Sequence, residues 1–245
     1  MKIDSTVPCI IDTLSEQAEV LDYYPTPRGL FAALHKHEKF PGTVWEPACG
    51  TGELAKEMKN CGVNVVLETD KVNYGYGNSI GDFRNISYSA DHIITNPPYR
   101  LSREFIQHAV GKKTRGQTVS QGCAKSKVAM LLDLNFLASA IRRDFFADYT
   151  PVRIWVFRQR ITMYSPASLR KRLEKRLKDG LDITKKPPPG TRAYAWYVWD
   201  TAHRGLPTVD WLDLSRTDCD AMRNDYTAAW DKLLADRGLI PAEAE

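Results

Sequence analysis

Hydrophobic positions in the first half of the chain fall in short runs that switch between two periods. Residues 43–45, 63–67, 92–95 and 127–132 are compact, β-prone runs, each closed by polar or turn-forming residues. Between them, residues 30–37, 53–60 and 103–110 carry apolar side chains at helical spacing. Strands alternating with helices predict a parallel α/β sheet. Pro25-Thr26-Pro27 imposes an extended or turn approach to the first helix. The pattern then changes. Residues 153–157, 161–164 and 194–199 are β-rich with short or irregular connections, which predicts an antiparallel edge to the sheet. Residues 218–235 place Met222, Tyr226, Trp230 and Leu233 at helical spacing, and Thr217 with Asp220 resembles a capping box, so a C-terminal helix packed on the sheet is expected. Residues 1–21 are polar and mixed and read as a surface arm.

Composition narrows the class. The chain has 245 residues, 43% hydrophobic and 26% charged, which is ordinary for a globular domain and excludes a disordered or collagen-like chain. No apolar run approaches the length of a membrane span, and the first residues lack the basic-then-apolar pattern of a secretory signal. Five cysteines, odd in number and without a C-x-x-C pair, argue against a zinc ribbon or a disulfide framework; a reducing, cytoplasmic setting is expected. The five histidines show no ligand spacing, so no metal is expected.

The net charge of +4 is unevenly placed. Between Arg170 and Arg192 nine Lys and Arg face only Glu174, Asp179 and Asp182, which leaves the rest of the chain slightly acidic. Ser165-Pro166 supplies a helix start, after which Leu169, Leu173, Leu177 and Leu181 define one face and the cations the others. A small basic insertion at about 165–192 is therefore expected, with Arg170, Lys171, Arg172, Lys175, Arg176, Lys185 and Lys186 as candidate phosphate contacts. A second basic loop contains Lys112, Lys113, Arg115, Lys125 and Lys127.

Two motifs carry chemistry. Glu46-Pro47-Ala48-Cys49-Gly50-Thr51-Gly52 places glycines between a strand and a helix, where the backbone can approach a ligand. It fits only the looser G-x-G-x-x-A dinucleotide pattern and lacks the Lys-Ser/Thr of a P-loop. The acid leading into it favours a ligand with a positive group over a pyrophosphate. The next strand ends with Glu68 and Asp70, either of which can accept from ribose hydroxyls. Asp82-Phe83 offers a carboxylate beside a ring, suited to an adenine amino group. The second motif, Asn96-Pro97-Pro98-Tyr99, is the more specific. Its prolines fix the backbone so that the Asn96 side-chain oxygen and the Pro97 carbonyl can both accept from one exocyclic amine, while Tyr99 offers a face for a planar base.

These residues resemble the class I S-adenosylmethionine-dependent methyltransferases, specifically the DNA amino-methyltransferases that modify adenine. The glycine motif is similar to their first cofactor motif, Asn96–Tyr99 to their catalytic tetrad, and Asp22-Tyr23-Tyr24-Pro25-Thr26-Pro27 to the motif that closes over the methionine moiety. The motif order resembles the gamma arrangement, and 153–164 with 194–200 are similar to the closing strands of compact, phage-type enzymes. The resemblance implies a Rossmann-like, mostly parallel seven-stranded sheet with an antiparallel edge and helices on both faces. It implies one methyltransferase domain over 22–245. It also implies S-adenosylmethionine held by Tyr24, Pro25, Thr26, Glu46, Pro47, Ala48, Gly50, Gly52, Glu68 or Asp70, Asp82, Phe83 and Asn96, with catalysis by Asn96, Pro97, Pro98 and Tyr99. Double-stranded DNA is the expected partner, with its target base flipped out. Alternatives are another planar amine (cytosine N4, an RNA base or a protein glutamine) and a silent nucleic-acid-binding module of this fold. Whether the chain is a monomer or a homodimer stays open.

Overall fold

The computed structural model describes residues 22–114, 117–138, 142–188, 191–203 and 205–241; the arm expected over 1–21 lies outside these. Helix α1 (Leu30–His35) leads to strand β1 (Thr43–Glu46), α2 (Glu53–Asn60), β2 (Asn64–Asp70) and the short β3 (Ser79–Ile80). Next come β4 (Ala90–Thr95), α3 (Ser102–Val110), the hairpin β5 (Lys113–Thr114) and β6 (Gln117–Thr118), and β7 (Ala124–Asp133). The second half holds α4 (Arg142–Asp148), β8 (Arg153–Phe157), β9 (Ile161–Thr162), α5 (Pro166–Lys178), β10 (Thr191–Arg192), β11 (Tyr194–Asp200), β12 (Thr208–Leu212) and α6 (Arg216–Asp236).

One sheet of eight strands runs in the order β12-β8-β11-β7-β4-β1-β2-β3. Every neighbouring pair is parallel except the two made by β11. The sheet thus has one strand more than the seven expected, and its reversed strand is internal rather than an edge. Burial explains why. Every residue from Tyr194 to Trp199 is at most 3% exposed, so β11 needs a strand on each side and cover on both faces. The outer place falls to β12, whose Thr208–Trp211 are exposed and show no alternation from which a strand could be read.

Alternate residues along the strands feed two cores. Val44, Ile94, Leu131, Trp196 and Val198 pack with Leu30, Phe31 and Leu34 of α1, Leu54 and Met58 of α2, and Met222 of α6. Trp45, Ile93, Met130, Tyr197 and Trp199 pack on the other side with Phe105, Ile106 and Ala109 of α3 and Phe145 of α4. Buried indoles keep their donors satisfied: Trp45 donates to Thr69 at 2.9 Å, Trp196 to the Leu30 carbonyl at 3.0 Å and Trp199 to the Tyr149 carbonyl at 2.9 Å. Helices on both faces of a mostly parallel sheet give the Rossmann-like architecture.

Helix α5 begins at a reciprocal Ser165–Ser168 capping box followed by Pro166. Leu169 and Leu173 pack on Tyr226, Trp230 and Leu234 of α6. The expected row of four leucines is only half used: Leu169 and Leu173 pack on α6, whereas Leu177 and Leu181 are each 49% exposed and Leu181 lies beyond the end of α5 at Lys178. The cap of α6 also differs from the Thr217–Asp220 box expected. Ser215 accepts from the Asp218 amide at 3.0 Å and the Asp218 carboxylate accepts in turn from Ser215, three residues earlier, while Asp220 pairs with Arg223. In the second basic loop, Lys127 turns inward: it meets the buried Glu38 carboxylate at 2.8 Å, beside Arg153 and the Trp155 indole. Arg115 of that loop lies outside the described residues.

Candidate functional site

The chain leaves β1 toward β2 on one side and returns through β4 on the other, so the sheet reverses its winding between β1 and β4. A ligand crevice opens at such a point, beyond the carboxyl ends of the strands. Here it is a cleft bounded by the glycine turn, the end of β2, residues 22–26 and the residues that follow β4.

The glycine turn forms its floor. Gly50 has φ 52° and Gly52, which starts α2, has φ 89°, a left-handed region closed to most side chains. Space excludes side chains as well, since a Cβ on Gly50 would strike the Tyr23 ring and one on Gly52 the Tyr76 ring. Pro47, Ala48, Cys49 and Gly50 line the cleft, whereas Gly52 lies behind it, under Tyr76.

Acids crowd this floor. Glu46 is 1% exposed, and its Oε2 has no hydrogen-bond partner among the described residues. Burial, with the carboxylates of Glu68, Glu53 and Asp70 nearby, raises its pKa well above the usual range. Burial together with Glu46 and Asp70 pushes the Cys49 thiol up to about 12, which keeps it protonated and removes it as a nucleophile. The two acids ending β2 separate. Asp70 lines the cleft, accepting from the Gly50 amide at 2.9 Å and the Val72 amide at 3.0 Å. Glu68 does not. Its Oε1 is held by Lys59 at 2.7 Å and the Tyr76 hydroxyl at 2.6 Å, fastening residues 71–78 over the turn. The Glu68 alternative for a ribose contact is therefore set aside. Asp82 reaches the cleft with both oxygens on Arg84, which holds its pKa down to about 2, and Phe83 is buried against Trp45, Phe105 and His108.

Tyr24, Pro25 and Thr26 form the opposite wall, and Asn96 and Pro98 the inner end. The Asn96 Nδ2 donates to the Tyr24 carbonyl at 3.0 Å and to the Thr26 hydroxyl at 3.2 Å. A carbonyl can only accept, so the amide must present its nitrogen there, and its Oδ1 remains as an acceptor for a ligand. Pro97 is buried, and Tyr99 sits outside the cleft, its ring 5.7 Å from Tyr24 and 6.0 Å from Tyr194 and its hydroxyl donating to the Met163 sulfur at 3.0 Å.

The sequence motif includes Tyr23 but does not single out its stacking partner Tyr74. Tyr23 and Tyr74 stack at 4.5 Å, and Tyr23 shares a 2.6 Å hydrogen bond with Thr51. The tyrosine-rich loop Asn73-Tyr74-Gly75-Tyr76 was the available signal.

The basic segment is more engaged than its charge suggested. Arg172 donates to the Pro188 carbonyl at 2.8 Å and Arg176 to the Asp182 carbonyl at 2.6 Å, tying α5 to the chain that follows it. Lys175 pairs with Asp179, Lys186 with Asp231 and Lys185, at 3.9 Å, with Asp182. Among the described residues no cluster of metal-ligating side chains occurs, and no helix is long and apolar enough to cross a membrane.

No family model and no curated protein sequence matches the chain. Among solved structures it is similar to a proposed RNA methyltransferase from Pyrococcus horikoshii, with TM-score 0.50 and 14% identity over 74% of this chain and 87% of that one. It is also similar to the modification subunit of a proposed type I restriction enzyme from Vibrio vulnificus, with TM-score 0.46 and 13% identity over 89% of this chain and 56% of that one. With the strand order, the first of these supports a Rossmann-like α/β fold.

Proposed function

We propose that this chain transfers a methyl group from S-adenosylmethionine to the exocyclic amine of a nucleic-acid base, and specifically to adenine N6 in DNA. The observation that carries the reading is Asn96: both its amide donors are taken by Tyr24 and Thr26, which leaves an acceptor at the inner end of the cleft. Such an acceptor suits an N–H donor and offers nothing to a carbonyl or phosphate.

The cleft suits a cationic ligand. Asp22, Glu46, Glu53, Asp70 and Asp82 line it with Lys71 as the basic residue among them, a field that attracts positive charge and repels a pyrophosphate. The orphaned Glu46 oxygen fits an amino-acid ammonium, Asp70 a ribose diol, and Phe83 with Phe105 an adenine ring. When bound there, S-adenosylmethionine supplies an electrophilic methyl group on its sulfonium. Asn96 Oδ1 and the Pro97 carbonyl would hold the acceptor amine and offset the positive charge that grows on its nitrogen. The backbone prolines keep those two oxygens from turning away, so orientation is set before the amine arrives.

The test is incubation with labelled S-adenosylmethionine and duplex DNA, followed by mass spectrometry of the nucleosides. N6-methyladenine is expected. Label on cytosine N4, in RNA or on a protein amide instead would move the acceptor to that class, and absence of cofactor binding by calorimetry would remove the enzyme reading altogether.

A further inference from the structure

The segment entering β11 places an arginine near the strand ends that carry Asn96 and Asp133. β4 and β7 are parallel neighbours, with Thr95 registered against Met130, so Asn96 and Asp133 end adjacent strands. Tyr194 at the start of the reversed β11 is registered against Asp133, and the Leu134 amide donates to the Ala193 carbonyl at 2.8 Å. The Tyr194 ring, in turn, flanks Tyr99 at 6.0 Å. Arg192 therefore stands two residues before Tyr194, which flanks the Tyr99 of the Asn96–Tyr99 motif, on the β9–β10 ribbon that pairs it with Ile161 and leaves the main sheet.

Its side chain is 69% exposed, yet anchored. One nitrogen, Nη1, meets Asp133 Oδ2 at 3.1 Å, and Asp133 is itself only 16% exposed, with Oδ1 fixed by the Asn135 amide at 2.8 Å. The guanidinium carries five N–H donors, so one anchored nitrogen leaves the rest of the fork open to solvent. Asp133, Tyr194 and Tyr24 all contribute to the field at its guanidinium, and the last two flank the Tyr99 ring at 6.0 and 5.7 Å. By contrast Arg172 and Arg176 of α5 spend guanidinium donors on backbone carbonyls.

We propose that Arg192, held by Asp133, grips a backbone phosphate of the substrate strand next to the base that enters the Asn96 site. A planar fork with open donors matches two oxygens of a phosphate, which a lysine cannot do. The role is one of binding and positioning, and it rests on the nucleic-acid reading given above.

The experiment is fluorescence anisotropy of the full chain with labelled single- and double-stranded oligonucleotides across a salt series, on Arg192→Ala and Arg192→Lys. Arg192→Ala should lose about 5- to 10-fold in affinity, and its log–log salt slope should fall by roughly 0.7–0.9, the value for one phosphate that is no longer neutralised. Arg192→Lys should keep the slope and lose roughly 3-fold, as charge persists without the fork. In turnover, KM for the oligonucleotide should rise with kcat unchanged. Unaltered affinity and slope in Arg192→Ala, or failure of the wild-type chain to bind either oligonucleotide, overturns the inference. Methyl transfer separates the two readings. Wild-type transfer to DNA with a normal Arg192→Ala variant removes Arg192 alone, whereas oligonucleotide binding that depends on Arg192 without any transfer removes the enzyme reading and leaves the phosphate grip.

Discussion

Asn96 has one useful atom for a ligand, and a threonine 70 positions earlier helps decide which. Asn96→Ala should abolish methyl transfer while cofactor affinity by calorimetry stays within a few-fold; normal turnover in that variant would refute the assignment. Thr26 is 7% exposed, so Thr26→Val removes one anchor at nearly constant shape. Losing one neutral hydrogen bond, about 0.5–1.5 kcal/mol, predicts a kcat lower by roughly 2- to 12-fold with KM little changed. Thr26→Ser, which keeps the hydroxyl, should restore it. Glu46 yields a prediction about pH. Burial and neighbouring carboxylates raise its pKa in the fold, so between the unfolded value, about 4.3, and the higher folded one the native chain binds a proton the unfolded chain has released. Stability must fall as pH rises through that window. The melting temperature of ligand-free Glu46→Gln should therefore gain on wild type as pH rises above the unfolded carboxylate value, and a constant difference would refute it. Glu46 and Asn96 were legible because each sits in a local motif. The Tyr24 carbonyl that turns the Asn96 amide was not, because backbone groups carry no sequence signal and this hydrogen bond spans 72 positions.

Elements with one buried face could be read from their spacing, and the departures have physical causes. β11 reads as a strand from its unbroken apolar run, but that run is the signature of a strand covered on both faces, and an internal position follows from it. β5 and β6 pair over only two residues each and offer no periodicity to detect. Helix α5 shows the limit of helical spacing most clearly. Leu169, Leu173, Leu177 and Leu181 are equivalent in sequence, yet α6 covers only the first two. Leu173, 1% exposed against Tyr226 and Trp230, should cost about 2–4 kcal/mol when truncated to alanine, as cavities in packed cores do. Leu177→Ala should change stability by no more than about 0.5 kcal/mol, the range for surface positions. Denaturant unfolding of the two variants measures both, and equal costs would show that α5 and α6 are packed along their whole length.

Across the whole molecule the charges separate by sign. An acidic cleft lies at the carboxyl ends of the central strands, and cations collect on α5 and the chain after it, so a net +4 conceals two opposite fields. Such an arrangement suits a cationic small ligand and a polyanionic large one at once. The structure also sorts the cations of α5. Arg172 and Arg176 hold the following segment through its carbonyls, and replacing them would loosen the fold as well as remove charge. The informative variant is therefore Lys175→Gln with Lys178→Gln and Lys185→Gln, since all three are exposed and the surface pairings of Lys175 with Asp179 and of Lys185 with Asp182 contribute little. Each phosphate that this segment no longer neutralises should lower the salt slope of DNA binding by roughly 0.9, so the triple variant should flatten it by up to about 2.7 while cofactor affinity in the acidic cleft stays unchanged. A slope equal to that of wild type would make the segment a solvated face whose charge serves solubility. A simultaneous loss of cofactor affinity would mean that the two fields are not independent.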